Sequence, residues 1–160
     1  MEVFFTKIYI IILGMKVVVQ KVSQAKCEVE GKITGEIGIG YMLLVGFGHE
    51  DTEETVRKYA SKIARLRIFD DKNGKINLSI FDVGGSILSI SQFTLYGDAR
   101  KGNRPGFTRA LGGQKAVDLY DYFNECLRNE GLHVETGIFG AEMNVTLTNA
   151  GPITIILENL

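Results

Sequence analysis

Gly40-Tyr41-Met42-Leu43-Leu44-Val45-Gly46-Phe47 is a continuous apolar run bounded by glycines. That is the pattern of a strand buried on both faces. On its N-terminal side, residues 17–22 and 26–30 are rich in β-branched side chains. Glu30-Gly31-Lys32 then turns the chain into residues 33–37, which predicts a hairpin. On its C-terminal side, Asp51 followed three residues later by Glu54 is a capping-box-like helix start, and Glu53 and Glu54 suit the positive helix end. Val56, Tyr59, Ala60, Ile63 and Ala64 recur at helical spacing as one apolar stripe. Asp70-Asp71-Lys72-Asn73-Gly74 ends the unit with strong turn chemistry.

Further out, strands are predicted over residues 75–81 and 86–96, separated by Gly84-Gly85, and a polar, basic loop follows at 97–105. A second helix over 114–129 would turn Ala116, Leu119, Tyr120, Phe123 and Leu127 inward, with Gly131 as its C-terminal cap. Strands over 133–136, 143–148 and 153–157 close the chain. The sum is an α+β domain, a mainly antiparallel, barrel-like sheet with two helices. The spacing excludes a regular β-α alternation, so a doubly wound nucleotide fold is not expected.

Composition sets outer bounds. The 160 residues are 45% hydrophobic and 23% charged with a net charge of −1, which suits one globular domain and offers no global basic field for nucleic acid. The two cysteines, Cys27 and Cys126, form no CxxC pair and read as reduced thiols of a cytoplasmic protein. Residues 1–14 do not match the rest. Their apolar run, Ile8 to Leu13, falls far short of the about 20 residues of a membrane span. Met15 opens a clean domain start, so 1–14 reads as an upstream extension and 15–160 as the domain; an extra edge strand is the alternative, and no membrane association is expected.

Exclusions narrow the chemistry. There is no G-x-x-x-x-G-K-[ST] loop and no H-E-x-x-H, and Gly46-Phe47-Gly48 lacks the third glycine of a dinucleotide fingerprint. His49 and His133 are the only histidines and have no spaced partners, so neither a metal site nor a cofactor is expected. What remains is Ser91-Gln92-Phe93-Thr94-Leu95-Tyr96. As a regular strand it puts Leu88, Ile90, Gln92, Thr94 and Tyr96 on one face, which changes from aliphatic to polar partway along. That marks either a strand leaving the core at a cleft or simply a half-exposed strand end. Thr94 has no adjacent base to make it a strong nucleophile. Arg100, Lys101, Arg104 and Arg109 follow within ten residues, with only Asp98 to offset them, as a candidate phosphate patch or a solvated loop. In Asn149-Ala150-Gly151-Pro152-Ile153-Thr154, proline at a strand's first residue is an ordinary boundary device. The base rate of X-Pro bonds favours a trans Gly151-Pro152.

Ser91-Gln92-Phe93-Thr94-Leu95 and Asn149-Ala150-Gly151-Pro152-Ile153-Thr154 resemble the two signature motifs of the D-aminoacyl-tRNA deacylases. Leu66-Arg67-Ile68-Phe69, Asp82-Val83-Gly84-Gly85, Arg100-Lys101-Gly102-Asn103-Arg104-Pro105 and residues 135–143 agree in order with the same family. The resemblance implies a β-barrel homodimer acting on aminoacylated tRNA, with no cofactor. It would hydrolyse the ester joining a D-amino acid, or glycine, to the 3′-terminal adenosine.

The same resemblance assigns roles to residues. Ser91, Gln92, Phe93 and Thr94 would line the catalytic pocket, with backbone N–H groups near Phe93 and Thr94 as an oxyanion site. Asn149, Gly151 and Pro152 would form the chirality check, a cis Gly-Pro segment reaching into the partner's pocket. Phe139, Gly140 and Met143 would house the terminal adenine, and Arg100, Lys101 and Arg104 would contact phosphates. Lys21 stands where the family usually carries an arginine that braces the Gly-Pro loop, and lysine lacks arginine's planar fork of donors. Two other readings stay open: a related editing hydrolase for a mischarged L- or achiral amino acid, and a noncatalytic nucleic-acid-binding module.

Overall fold

The computed structural model describes residues 14–160, and the reading of 1–14 as an extension falls, but for Gly14, outside the described residues. Eight strands and two helices follow in the order β1 (Lys16–Val29), β2 (Lys32–Ile37), β3 (Gly40–Gly46), α1 (Glu53–Arg65), β4 (Phe69–Asp70), β5 (Ile76–Leu78), β6 (Ser86–Ser91), α2 (Gly113–Asn129), β7 (Val134–Thr136) and β8 (Asn144–Leu157). A 3-10 turn, Phe93–Tyr96, lies between β6 and α2.

The apolar run that opened the sequence is β3, and both its faces are covered. Tyr41, Leu43 and Val45 join Val17 and Val19 of β1 against the helices, where Val56, Tyr59, Ala60 and Ile63 of α1 and Leu119, Tyr120, Phe123 and Leu127 of α2 pack down. Met42 faces the other way, into a second cluster with Val22, Ala25, Cys27, Ile37, Leu88 and Ile90 inside the curled sheet. Burying a side chain of this size contributes about 1.5–3 kcal/mol, so β3 anchors two cores at once.

The six-stranded sheet is mixed rather than mainly antiparallel. Its order is β2-β1-β3-β6-β7, with β8 on β1. The β1–β2, β1–β3 and β1–β8 pairs are antiparallel, whereas β3–β6 and β6–β7 are parallel. Parallel neighbours need a crossover connection, and α1 and α2 lie on those two connections. The sheet curls until its ends approach. At Gly35 of β2 a Cβ would stand 2.8 Å from the Thr136 carbonyl of β7, a spacing only glycine permits.

Several boundaries differ from the sequence reading, each for a visible reason. Residues 17–22 and 26–29 are one strand, because β8 pairs with β1 from Val17 to Glu28 and carries it through the intervening residues. The helix cap is Thr52, reciprocally bonded with Thr55, not Asp51. Asp51 is instead 2% exposed, and its carboxylate accepts from Met15 N at 2.8 Å and Gly48 N at 2.6 Å. Burial pushes its pKa up and these backbone donors pull it back. The Asp71 turn forms as expected: its carboxylate accepts from the N–H groups of Asn73 and Lys75, which hold it below the usual carboxylate range. Gly131 lies at φ 99 just past Glu130, the C-cap of α2.

No helix among the described residues is long and apolar enough to cross a membrane. Cys27 is buried and Cys126 half-buried, both as free thiols, and burial pushes the Cys126 thiol up.

Candidate active site

The strand predicted to run to Tyr96 ends at Ser91. Gln92 still donates its N–H to the Val45 carbonyl at 2.7 Å, after which the chain coils into the 3-10 turn, with Leu95 N bonding Gln92 O at 3.3 Å and Gly97 N bonding Thr94 O at 3.0 Å. Alternation therefore does not continue past Ser91, and the two-face assignment for 92–96 does not hold. The turn is pinned from below. Tyr96 is buried, its hydroxyl donates to the Gly14 carbonyl at 2.6 Å, and Gly46 of β3 leaves room for its ring. Phe93 is thereby pushed outward to 56% exposure and meets Phe107 edge-on at 5.2 Å. The N–H groups of Phe93 and Thr94 open the turn, where the first donors have no acceptor within the helix itself.

Beside this turn lies a cavity of about 230 Å³. Ser91, Gln92 and Phe93 line it together with Phe139, Gly140 and Met143 of the loop between β7 and β8. Val45, Gly46 and Phe47 at the end of β3 line it as well. Six residues singled out in the sequence thus gather from two distant segments. Gly46, Leu111 and Ala116, which also line it, were legible only as a strand end, an unassigned loop residue and a helix core position. No titratable side chain among the described residues lines this cavity.

Thr94 lies outside the cavity wall and is exposed. Its hydroxyl accepts from the Gln92 amide. His49 is equally remote from any catalytic relay: its Nε2 bonds the Thr108 carbonyl at 2.9 Å. Among the described residues no three His, Cys, Asp or Glu side chains gather as a metal-binding group.

The second segment is part of β8 rather than the entrance to a new strand. Gln20 pairs with Thr154 but Val22 pairs with Asn149, so four residues, 150–153, stand opposite the single Lys21 and form a bulge. Asn149 ties it off: its amide donates to Thr154 Oγ1 at 2.9 Å, and its Oδ1 accepts from Ile153 N at 3.3 Å. Gly151 has φ 115, and the Gly151-Pro152 bond is cis, against the base-rate expectation of trans. Both residues are exposed and neither lines the cavity, so one chain alone does not bring the two motifs together. Lys21 lies directly beneath, its Cε 3.6 Å from where a Gly151 Cβ would stand. It is 7% exposed, with Nζ 3.9 Å from Asp70 and 5.9 Å above the Phe69 ring.

The basic loop is less free than its composition suggests. Asp98 and Gly106 close its base through paired backbone bonds of 2.8 and 2.9 Å. Arg100 is clamped to Asp98 in a two-pronged ion pair, Nε to Oδ1 at 2.9 Å and a terminal nitrogen to Oδ2 at 2.8 Å. The guanidinium holds the Asp98 carboxyl well below the usual range. Lys101 and Arg104 are left at the exposed tip.

A family model described as D-Tyr-tRNA(Tyr) deacylase matches residues 18–158. The chain belongs to the D-Tyr-tRNA(Tyr) deacylase family. A protein of Bacillus pumilus named D-aminoacyl-tRNA deacylase is 58% identical over 145 residues, 91% of this chain and 99% of that one. A Thermus aquaticus protein of the same name is 52% identical, over 91% of this chain and 95% of that one. Among solved structures, the c-Myc DNA unwinding element binding protein superposes with a TM-score of 0.83 at 40% identity, covering 91% of this chain and 99% of that one. A probable eukaryotic D-amino acid tRNA deacylase shares the fold, with a TM-score of 0.78 at 20% identity over 91% and 99% of the two chains. As a deacylase of this family the chain is a hydrolase acting on aminoacyl-tRNA, and its two helices on a barrel-like sheet are the family's fold.

Proposed function

We propose that this deacylase hydrolyses the ester between a D-amino acid, or glycine, and the 3′-terminal adenosine of tRNA, as a homodimer whose domain spans residues 15–160. The observation that carries the reading is a cavity built from Ser91, Gln92 and Phe93 together with Phe139, Gly140 and Met143, with no acid or base inside it. Such a site works by placement and backbone dipoles rather than by a side-chain nucleophile. The adenine lies against Phe139, Gly140 and Met143. The ester carbonyl faces the N–H groups that open the 93–96 turn. A water oxygen adds to the carbonyl carbon, the bond to the ribose oxygen breaks, and that oxygen takes up the proton the water loses. The neighbouring ribose hydroxyl orients the water, and Thr94 is a positioning hydroxyl.

Chirality is checked by rejection. Asn149, Gly151 and Pro152 of one subunit reach into the other subunit's cavity, where backbone carbonyls take the α-ammonium and leave an L-side chain facing a wall. The exposure of that bulge, and its separation from the cavity of its own chain, support this arrangement. Lys101 and Arg104 contact tRNA phosphates; Arg100 does so only by giving up Asp98.

The decisive assay is release of tyrosine from D- and L-tyrosyl-tRNA. The D-ester is expected to be cleaved at least about 100-fold faster, since placing one L-side chain against a rigid wall costs several kcal/mol. Equal rates would point to an editing hydrolase without chiral preference, and no cleavage of either ester would overturn the reading. Thr94→Ala is expected to lower the rate by no more than about 10–100-fold, the scale of one lost positioning contact. Complete loss in a folded variant would make Thr94 the nucleophile.

One observation favours a second reading, a noncatalytic nucleic-acid module: the structural neighbour at 40% identity is a DNA unwinding element binding protein. That reading predicts salt-dependent binding through Lys101 and Arg104 without ester cleavage.

A further inference from the structure

Phe139 lines a second recess too, of about 250 Å³. Ala116 of α2 lines the first space, and Tyr120, Asn124 and Arg128 of the same helix line the second. These positions are four residues apart, so they form one stripe along α2, about 18 Å long at 1.5 Å per residue. Thr136 and Gly137, where β7 passes into the 137–143 loop, form the facing side. The two spaces are successive stations along one side of a helix and share an aromatic ring.

The second station holds an unspent polar group. Asn124 is 3% exposed, and its Oδ1 has no hydrogen-bond partner among the described residues. A buried amide oxygen is normally paired, and leaving it unpaired costs free energy. The neighbouring Tyr120 hydroxyl cannot satisfy it, because it donates to the Ser89 carbonyl at 2.6 Å. At the end of the stripe Arg128 is fixed by one bond to the Val134 carbonyl at 3.0 Å, and no carboxylate among the described residues forms an ion pair with it. Asp121 also lines the recess, and its charge opposes a phosphate near it, which leaves the Arg128 end as the place for one. An orphan acceptor, an aromatic wall and a guanidinium along one groove match a nucleotide: an amine-bearing base edge, a stackable ring and a phosphate.

We infer that this recess binds the nucleotide that precedes the terminal adenosine, with the base's exocyclic amine donated to Asn124 Oδ1 and a phosphate of the strand toward Arg128. The inference rests on the proposed placement of the terminal adenosine in the first cavity, and it extends recognition one nucleotide up the strand. The acceptor discriminates by chemistry: cytosine presents an amine where uracil presents a carbonyl. The nucleotide before the terminal adenosine of tRNA is a cytidine.

The test is direct binding, independent of hydrolysis. Adenosine, cytidylyl-adenosine and uridylyl-adenosine are titrated into isotope-labelled protein and followed by NMR. Cytidylyl-adenosine is expected to bind about tenfold more tightly than adenosine, in the range of one good base contact. It should shift the Asn124 side-chain amide and the backbone amides of Thr136 and Gly137, which adenosine leaves in place. Uridylyl-adenosine should recover at most about a third of that gain, and Arg128→Gln, a change at an exposed side chain, should reduce it similarly. Equal affinity for all three ligands, or no shift at Asn124, overturns the inference. Should cytidylyl-adenosine show its gain while D-tyrosyl-tRNA stays intact, the hydrolase reading falls and the recess stands; the reverse pair of results removes only the recess.

Discussion

Gly46→Val is expected to lower kcat/KM for D-tyrosyl-tRNA by about 100-fold or more, the penalty for a displacement of about 1 Å in the reacting groups. Gly46 closes β3 and lines the cavity. A Cβ there would stand 2.8 Å from Cε2 of the Tyr96 ring and 3.0 Å from the Gln92 carbonyl oxygen. The ring is held by its hydroxyl's bond to Gly14, and Gln92 by its bond to Val45, so neither can retreat without carrying the 93–96 turn along. That turn presents Phe93 and the N–H groups assigned to the ester carbonyl. The damage is therefore to placement, and it should appear in kcat more than in KM. Gly46→Ala should show the same effect in weaker form. Gly38→Ala, where a Cβ would meet nothing within 4 Å, should leave the rate unchanged. A folded Gly46→Val enzyme within twofold of the wild-type rate would show that the turn does not carry the chemistry.

The second large effect is on stability. Gly40→Ala is expected to cost at least about 3 kcal/mol, from strained backbone and overpacking together. Gly40 begins β3 at φ 155, paired in parallel with Ser86 of β6. A Cβ would lie 2.7 Å from both the backbone nitrogen and carbonyl carbon of Ser86, and closer still to its oxygen. Backbone on both sides leaves no flexible side chain to move aside. For a chain of this size the loss corresponds to a fall in Tm of about 10 °C, readable by thermal or denaturant unfolding. Gly31→Ala is the control: Gly31 also has positive φ, at 75, but a Cβ there would meet nothing within 4 Å. It should cost only about 1 kcal/mol. Equal losses at the two positions would mean that backbone conformation, and not the β3–β6 approach, sets the cost.

Much of the fold was legible because its signals are local. The apolar run at 40–47, the stripe Val56-Tyr59-Ala60-Ile63-Ala64 and the turn at Asp71 each state their structure within a few residues, and each forms. The errors come where a distant partner overrides a local signal. Thr52 takes the helix cap because the Asp51 carboxylate is drawn inward by the N–H groups of Met15 and Gly48. Residues 93–96 leave the strand because Tyr96 is pulled under β3 toward Gly14. Arg100 reads as a free cation in composition, yet its neighbour Asp98 takes its Nε and one terminal nitrogen.

The candidate site divides along the same line. By itself the sequence determined which residue types were on offer: the polar strand end at Ser91–Phe93, the Gly-Pro segment, and two histidines without spaced partners. Those are matters of composition and spacing, which no folding can alter. Only the tertiary structure decided that Ser91–Phe93 and Phe139, Gly140 and Met143 line one cavity, that Gly46 lines it too, and that Gly151-Pro152 bulges outside it beside Lys21. It also left the Asn124 oxygen without a partner beside that cavity. The physical reason is that each of these depends on distance between segments far apart in the chain, which hydrophobic periodicity does not encode. Sheet pairing supplies it, by curling the six-stranded sheet until the ends of β3 and β6 and the loop after β7 meet.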